Sequence, residues 1–169
     1  MAESNAGPGL EIRFAAQEDV PLILSLIKEL AEYERLSADV VADEASLKKY
    51  LFGGRRYAET LLAFFEGKPA GFALFFHHFS TFLCRPGIYL EDLFVRPEFR
   101  GKGIGKALLN YLGRLAVERK CGRLEWAVLN WNEPAIGFYK NLGARVMDDW
   151  TVFRLTGEAL HRLAEKSET

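Results

Sequence analysis

Glu91 and Asp92 stand side by side in an otherwise apolar run, Tyr89 to Val95, which leads into Arg96-Pro97-Glu98-Phe99-Arg100-Gly101-Lys102-Gly103-Ile104-Gly105. A carboxylate in an apolar strand needs a partner, and an amine or an ordered water can supply one. Successive strand side chains point to opposite faces, so the two acids are not expected to look into the same cleft. Alternation puts Glu91 on the face of Tyr89, Leu93 and Val95, where it is expected to contact or deprotonate an amine. Asp92 is either a second site carboxylate or a structural anchor. The glycines at 101, 103 and 105 let backbone approach a ligand closely. The first amides of the helix that follows have no intrahelical partners, so they can face phosphate oxygens. Arg100, Lys102 and Lys106 add positive charge.

Two familiar phosphate loops do not fit. A Walker loop needs Ser or Thr after Gly105-Lys106, where Ala107 stands, and a glycine where Arg100 stands. A dinucleotide fingerprint beginning at Gly101 needs glycine in place of Lys106. A third pattern, Arg/Gln-x-x-Gly-x-Gly/Ala, is met by Arg100, Gly103 and Gly105. A second block, Asn132-Glu133-Pro134-Ala135-Ile136-Gly137-Phe138-Tyr139-Lys140-Asn141-Leu142-Gly143, has the form Asn-x-x-Ala-x-x-x-Tyr-x-x-x-Gly. Together these blocks resemble the GCN5-related N-acetyltransferases (GNAT).

The resemblance implies acetyl-CoA as cofactor, with the backbone of Leu93, Phe94 and Val95 aligning its pantetheine arm. Arg100, Gly101, Lys102, Gly103, Ile104, Gly105 and Lys106 would hold the pyrophosphate, and Asn132 would steady the coenzyme. An alkyl ammonium has a pKa of about 10.4, so only about one amine in two thousand is unprotonated at neutral pH. Some group must take that proton, and Glu91 is the expected one. Tyr139, a phenol of pKa about 10, stays protonated and can give a proton to the departing thiolate.

Within that superfamily the chain resembles the spermidine/spermine, diamine and thialysine acetyltransferases. Leu26 to Glu34, Tyr89 to Val95 and Trp131-Asn132-Glu133-Pro134 carry this likeness. It implies an amine channel lined by Tyr33, Glu34 and Glu91, with Trp126 against the substrate and Asp148 or Asp149 at the distal ammonium; Asp92 is a further substrate-binding candidate beside Glu91. The expected activity is acetyl transfer to a small polyamine or diamine. An amino acid of lysine or thialysine type, an antibiotic or a protein amine are alternative acceptors, and a non-catalytic acyl-CoA-binding module is a third reading.

These residues need a scaffold, and periodicity supplies one. Strands are expected at Leu10 to Ala15, Thr60 to Glu66, Ala70 to Phe79, Ile88 to Val95, Arg123 to Leu129, Ala144 to Val146 and Trp150 to Leu155. A long loop is expected through Pro86. Helices are expected from Asp19 as cap to Tyr33, from Asp43 to Phe52, from Ile104 to Lys120, from Pro134 to Asn141, and after Thr156. The fold class is α/β, a single domain over 10–165. Its GNAT-like central sheet is mixed, mostly antiparallel and flanked by helices, and residues 1–9 are a flexible tail.

At 169 residues, 49% hydrophobic and 27% charged, the chain can bury a core without metal or disulfide. A net charge of −1 gives no basic field for nucleic acid. No apolar run reaches membrane length, so a cytoplasmic location with no membrane partner is expected. His77-His78 lacks a third ligand, and metal is not implied. Cys84 and Cys121 are expected to be reduced, buried thiols. The many phenylalanines are expected mostly in the core, and the likeness to relatives implies a homodimer.

Overall fold

Val20, Ile23, Leu26, Leu30 and Ala31 recur every three or four residues and form the buried stripe of helix α1, Val20–Glu34. In the computed structural model, whose described residues are 8–165, this helix starts with Pro21 in its first turn and ends at Arg35, which is left-handed at φ 62°. Asp19 precedes α1 without capping it. Its carboxylate is taken up instead by Arg13, at 2.7 and 2.9 Å, and by the Ala16 amide, at 2.7 Å.

The chain divides into two compact units, Met1–Ala127 and Val128–Thr169. The first holds β1 (Leu10–Phe14), β2 (Glu59–Phe65), β3 (Lys68–Ser80), β4 (Arg85–Val95) and β5 (Leu124–Trp126). They form one mixed sheet in the order β1-β2-β3-β4-β5, antiparallel except for the parallel β4–β5 pair. Ile23, Leu26 and Leu30 of α1 pack with Leu62, Phe72 and Phe94 on one face of the sheet. Helix α3, Ile104–Glu118, covers the other face, with Tyr111 edge-on to Phe14 at 6.0 Å and Phe14 against Phe75 at 6.5 Å. The mixed sheet with flanking helices is the architecture expected from sequence.

Between β1 and β2 lies helix α2, Glu44–Leu47, which continues as one π turn over Lys48–Phe52. Asp43 caps it by accepting the Ser46 amide at 2.7 Å. Glu66 and Gly67, left-handed at φ 50° and 76°, make the tight turn between β2 and β3. The long loop expected through Pro86 is absent. Phe79 pairs with Pro86 and Ser80 with Arg85, which leaves only the four residues 81–84 to turn. Pro86 sits beside the first residue of β4, where a missing donor is tolerated. This tip exposes Phe79, Phe82 and Cys84, while Cys121 is half-buried, so neither thiol is fully buried and Phe79 and Phe82 stand outside the core. Of the expected tail, residues 1–7 lie outside the described ones. Pro8 and Gly9 form a turn fixed by the Glu66 amide on the Gly9 carbonyl, at 2.7 Å.

The second unit carries α4 (Glu133–Asn141) and α5 (Gly157–Glu165). Asn132 caps α4 with its side-chain oxygen on the Ala135 amide, at 3.4 Å, and Gly143 closes it at φ 87°. The strands expected at Ala144 to Val146 and Trp150 to Leu155 do not form, and Arg123 to Leu129 shortens to β5. A strand exists only with a partner ladder, and the described residues of the second unit contain none.

Candidate active site

Strand β4 does not alternate uniformly. Leu74 pairs with Asp92 but Phe75 pairs with Leu90, so Glu91 is the extra residue of a β-bulge. Paired residues share a face, and the register therefore puts Asp92 with Tyr89 and Phe94 on the α1 side, and Leu90, Leu93 and Val95 on the α3 side. This corrects the sequence-based face assignment. Glu91 does not share a regular face with Tyr89, Leu93 and Val95, because the bulge changes the parity between 90 and 92. Glu91 is exposed and Asp92 is largely withdrawn from solvent.

Asp92 is the most perturbed carboxyl of the described residues. Burial, then the charges of Glu91 and Glu34, push its pKa up to about 6. Burial also raises Glu34, in the last turn of α1. Glu34, Glu91 and Asp92 thus form one electrostatically coupled acidic group. Among the described residues none of the three has an ion-pair partner. Such a group favours a cation beside it and holds a proton near neutral pH.

Helix α1 is fixed over the end of β4 by a pair that sequence reasoning left unassigned. Glu29 accepts from Arg96 through both oxygens, at 2.6 and 2.8 Å, and Arg96 also donates to the Pro69 carbonyl at 2.9 Å. Glu29 lies within the stretch that carries the family likeness, but its spacing from Arg96 in sequence gave no hint of the contact.

Beyond Arg96 a single 3-10 turn, Pro97–Phe99, leads to Gly101 and Gly103, both left-handed at φ 77° and 78°. A Cβ at either would meet no atom within 4 Å, so the requirement for glycine lies in backbone conformation and leaves open space over the loop. Gly103 opens α3, whose first internal bond runs from the Ala107 amide to the Gly103 carbonyl at 2.9 Å. The preceding amides therefore have no intrahelical partner and lie at the positive end of the helix dipole, which suits an anion. Lys106 is exposed in the first turn. Lys102 lies over the Phe65 ring at 4.6 Å. Arg100 lies over Tyr33 at 4.5 Å and donates from Nε to the Val95 carbonyl at 3.0 Å.

The first unit thus gathers Tyr33, Glu34, Glu91, Asp92, Phe94, Val95 and the loop at the ends of α1 and β4. Trp126 pairs with Leu90, so its register places it on the α3 side, opposite Asp92. Asn132, Tyr139 and Asp149 belong to the second unit, where the Tyr139 ring lies tilted at 51° to that of Phe138, 5.4 Å between centres, and Asp149 lies in an exposed turn. Among the described residues no group of acids, histidines or cysteines could hold a metal ion, and no helix is long and apolar enough to cross a membrane.

The acetyltransferase (GNAT) family model matches residues 23–144, and the chain belongs to that family. It is 39% identical over 166 residues to the thialysine N-epsilon-acetyltransferase of Sus scrofa, covering 92% of this chain and 97% of that one. It is 34% identical over 197 residues to the L-ornithine N5-acetyltransferase NATA1 of Arabidopsis thaliana, covering 90% and 86%. A solved structure of an integron cassette protein from V. cholerae matches with a TM-score of 0.79 at 30% identity, over 95% of this chain and all of that one. The protein is an N-acetyltransferase, and acetyl-CoA is its acetyl donor.

Proposed function

We propose that this enzyme acetylates the terminal primary amine of a small aliphatic acceptor that carries a second ammonium group. The observation that carries this reading is Asp92, a largely buried carboxyl raised to about 6, grouped with Glu34 and Glu91 and lacking a cation partner among the described residues. Two ammonium groups compensate such a cluster, whereas a neutral or acidic acceptor leaves buried charge unpaired. Thialysine and ornithine, the acceptors in the names of two relatives, both have this pattern. A basic amino acid is therefore the first reading. A polyamine or diamine is the second, favoured by the number of carboxylates.

Acetyl-CoA supplies an activated thioester. The amides at the start of α3 and the cationic loop bind its pyrophosphate, the end of β4 aligns its arm, and Asn132 adds a contact. Asp92 or Glu91 accepts the proton that the ammonium must lose. The amine nitrogen then forms the new bond to the acetyl carbon as the carbon–sulfur bond breaks, Tyr139 gives its proton to the departing sulfur, and the proton that the nitrogen sheds on becoming an amide restores the Tyr139 phenol. Tyr33 and Glu34 line the acceptor side, with Trp126 and Asp149 as further contacts.

The test is thiol release from acetyl-CoA with thialysine, ornithine, lysine, spermidine, putrescine and a single-amine control. Turnover led by thialysine or ornithine supports the first reading, and turnover led by spermidine or putrescine supports the second. Equal turnover of the single amine contradicts both.

A further inference from the structure

The end of α1 stands where electrostatics disfavour it. Its last turn holds no basic residue, and the carbonyls there carry the negative end of the helix dipole. Glu34 lies in that turn, and its charge acts on Asp92 together with that of Glu91. Like charges gathered in partly buried surroundings push the helix and the strand apart. Glu29 and Arg96 oppose that push. Both Glu29 oxygens accept from Arg96, at 2.6 and 2.8 Å, and Arg96 also donates to the Pro69 carbonyl of β3 at 2.9 Å. Such a forked, planar pair fixes an angle as well as a distance, as a single bond would not. Helix and strand run in opposite senses: Glu29 meets the residue just after β4, and Glu34, about 7.5 Å further along the helix, acts on Asp92, earlier in the strand.

We infer that Glu29 and Arg96 are positioning residues for the amine acceptor: without touching it, they hold the acidic end of α1 at the bulge of β4 and so set the spacing of the carboxylates that two ammonium groups meet. The inference rests on the reading of Glu34, Glu91 and Asp92 as acceptor-side residues. Preference for an acceptor with two ammonium groups over one with a single amine thereby depends on a pair that contacts neither substrate.

The test compares acceptors that differ in charge. Acceptor KM and kcat are measured at saturating acetyl-CoA with thialysine, with putrescine and with a single-amine control. The Kd of coenzyme A is measured by equilibrium titration without acceptor, and circular dichroism checks that each variant is folded. Glu29→Gln is expected to raise KM for thialysine and putrescine about five- to tenfold, while single-amine KM, kcat and the coenzyme Kd change less than about twofold. Arg96→Gln is expected to match it, and the Glu29→Gln/Arg96→Gln pair to be no worse than either alone. Glu59 and Arg119 supply the control, a second forked pair that joins β2 to the residue after α3 with similar side-chain exposure, 32% and 30%. Glu59→Gln breaks an equivalent pair elsewhere and is expected to leave the acceptor preference unchanged. An equal loss of preference in Glu59→Gln overturns the inference, because the effect is then general loosening of the fold. A coenzyme Kd raised about tenfold by Arg96→Gln and not by Glu29→Gln overturns it in favour of a coenzyme contact. If Glu29→Gln keeps the wild-type preference, the inference fails while the acceptor-side reading stands. If wild type shows no preference for two ammonium groups, both fail.

Discussion

Glu29 and Arg96 join the middle of α1 to the first residue after β4 through two parallel bonds, Oε1 to Nη2 at 2.6 Å and Oε2 to Nε at 2.8 Å. The pair sets how far the acidic end of α1 stands from the bulge at Glu91. The Arg96 guanidinium holds the Glu29 carboxyl below its ordinary range. The contribution to stability is therefore full above the unfolded pKa and is lost as pH falls through the lower folded one. Both side chains keep partial contact with water, at 33% and 20% exposure, so screening limits the effect. Glu29→Gln is expected to cost about 1 kcal/mol at pH 7 and almost nothing well below the carboxyl range, read as the difference between denaturant unfolding curves at the two pH values.

Asp92 carries the opposite sign. Its folded pKa of about 6 lies above the ordinary carboxyl value of 3.8, so the native state binds the extra proton and stability falls as pH rises between those values. The shift corresponds to about 3 kcal/mol lost across that window. Asp92→Asn is thus expected to stabilise the fold by about 2 kcal/mol at pH 8 while lowering turnover about a hundredfold. A variant that is both less stable and fully active at pH 8 would refute the assignment.

The same group shapes the rate profile. In the wild type, kcat/KM for the acceptor is expected to rise with pH through an apparent pKa of about 6, a value that belongs to the coupled acids jointly. Asp92→Asn is expected to flatten that limb, and stopped assays across pH 5 to about 8 would show whether it does.

Tyr139→Phe removes the proposed proton donor and leaves the ring against Phe138. Turnover is expected to fall about a hundredfold with the coenzyme Kd nearly unchanged. Unaltered turnover would take Tyr139 out of the mechanism.

Gly103→Ala puts a Cβ on a residue at φ 78°, in open space. Strain and displacement of the first α3 amides are expected to cost about 1 kcal/mol and to weaken coenzyme binding about tenfold, measured by calorimetric titration.

Sequence reading reached the scaffold and the loop because each had a local signature. The apolar stripe of α1, a hairpin turn expected over Gly67-Lys68-Pro69 that the structure places at Glu66-Gly67, and the glycines at 101 and 103 are written in consecutive residues. The bulge at Glu91 was hidden because it is a property of the β3–β4 register, which no single strand encodes. The Glu29–Arg96 pair spans 67 residues and follows only from how α1 crosses the sheet. The closing strands expected near Val146 and Phe153 rested on β-branched and aromatic composition, and composition cannot supply a partner ladder.

The central claim is that the acidic group at the bulge selects acceptors by charge. It is tested most directly by kcat/KM of wild type and Asp92→Asn with thialysine and with a single-amine thioether of equal length. Wild type is expected to prefer thialysine by about a hundredfold, and Asp92→Asn to cut that preference about tenfold or more. An unchanged ratio in Asp92→Asn, or no preference in wild type, would contradict it.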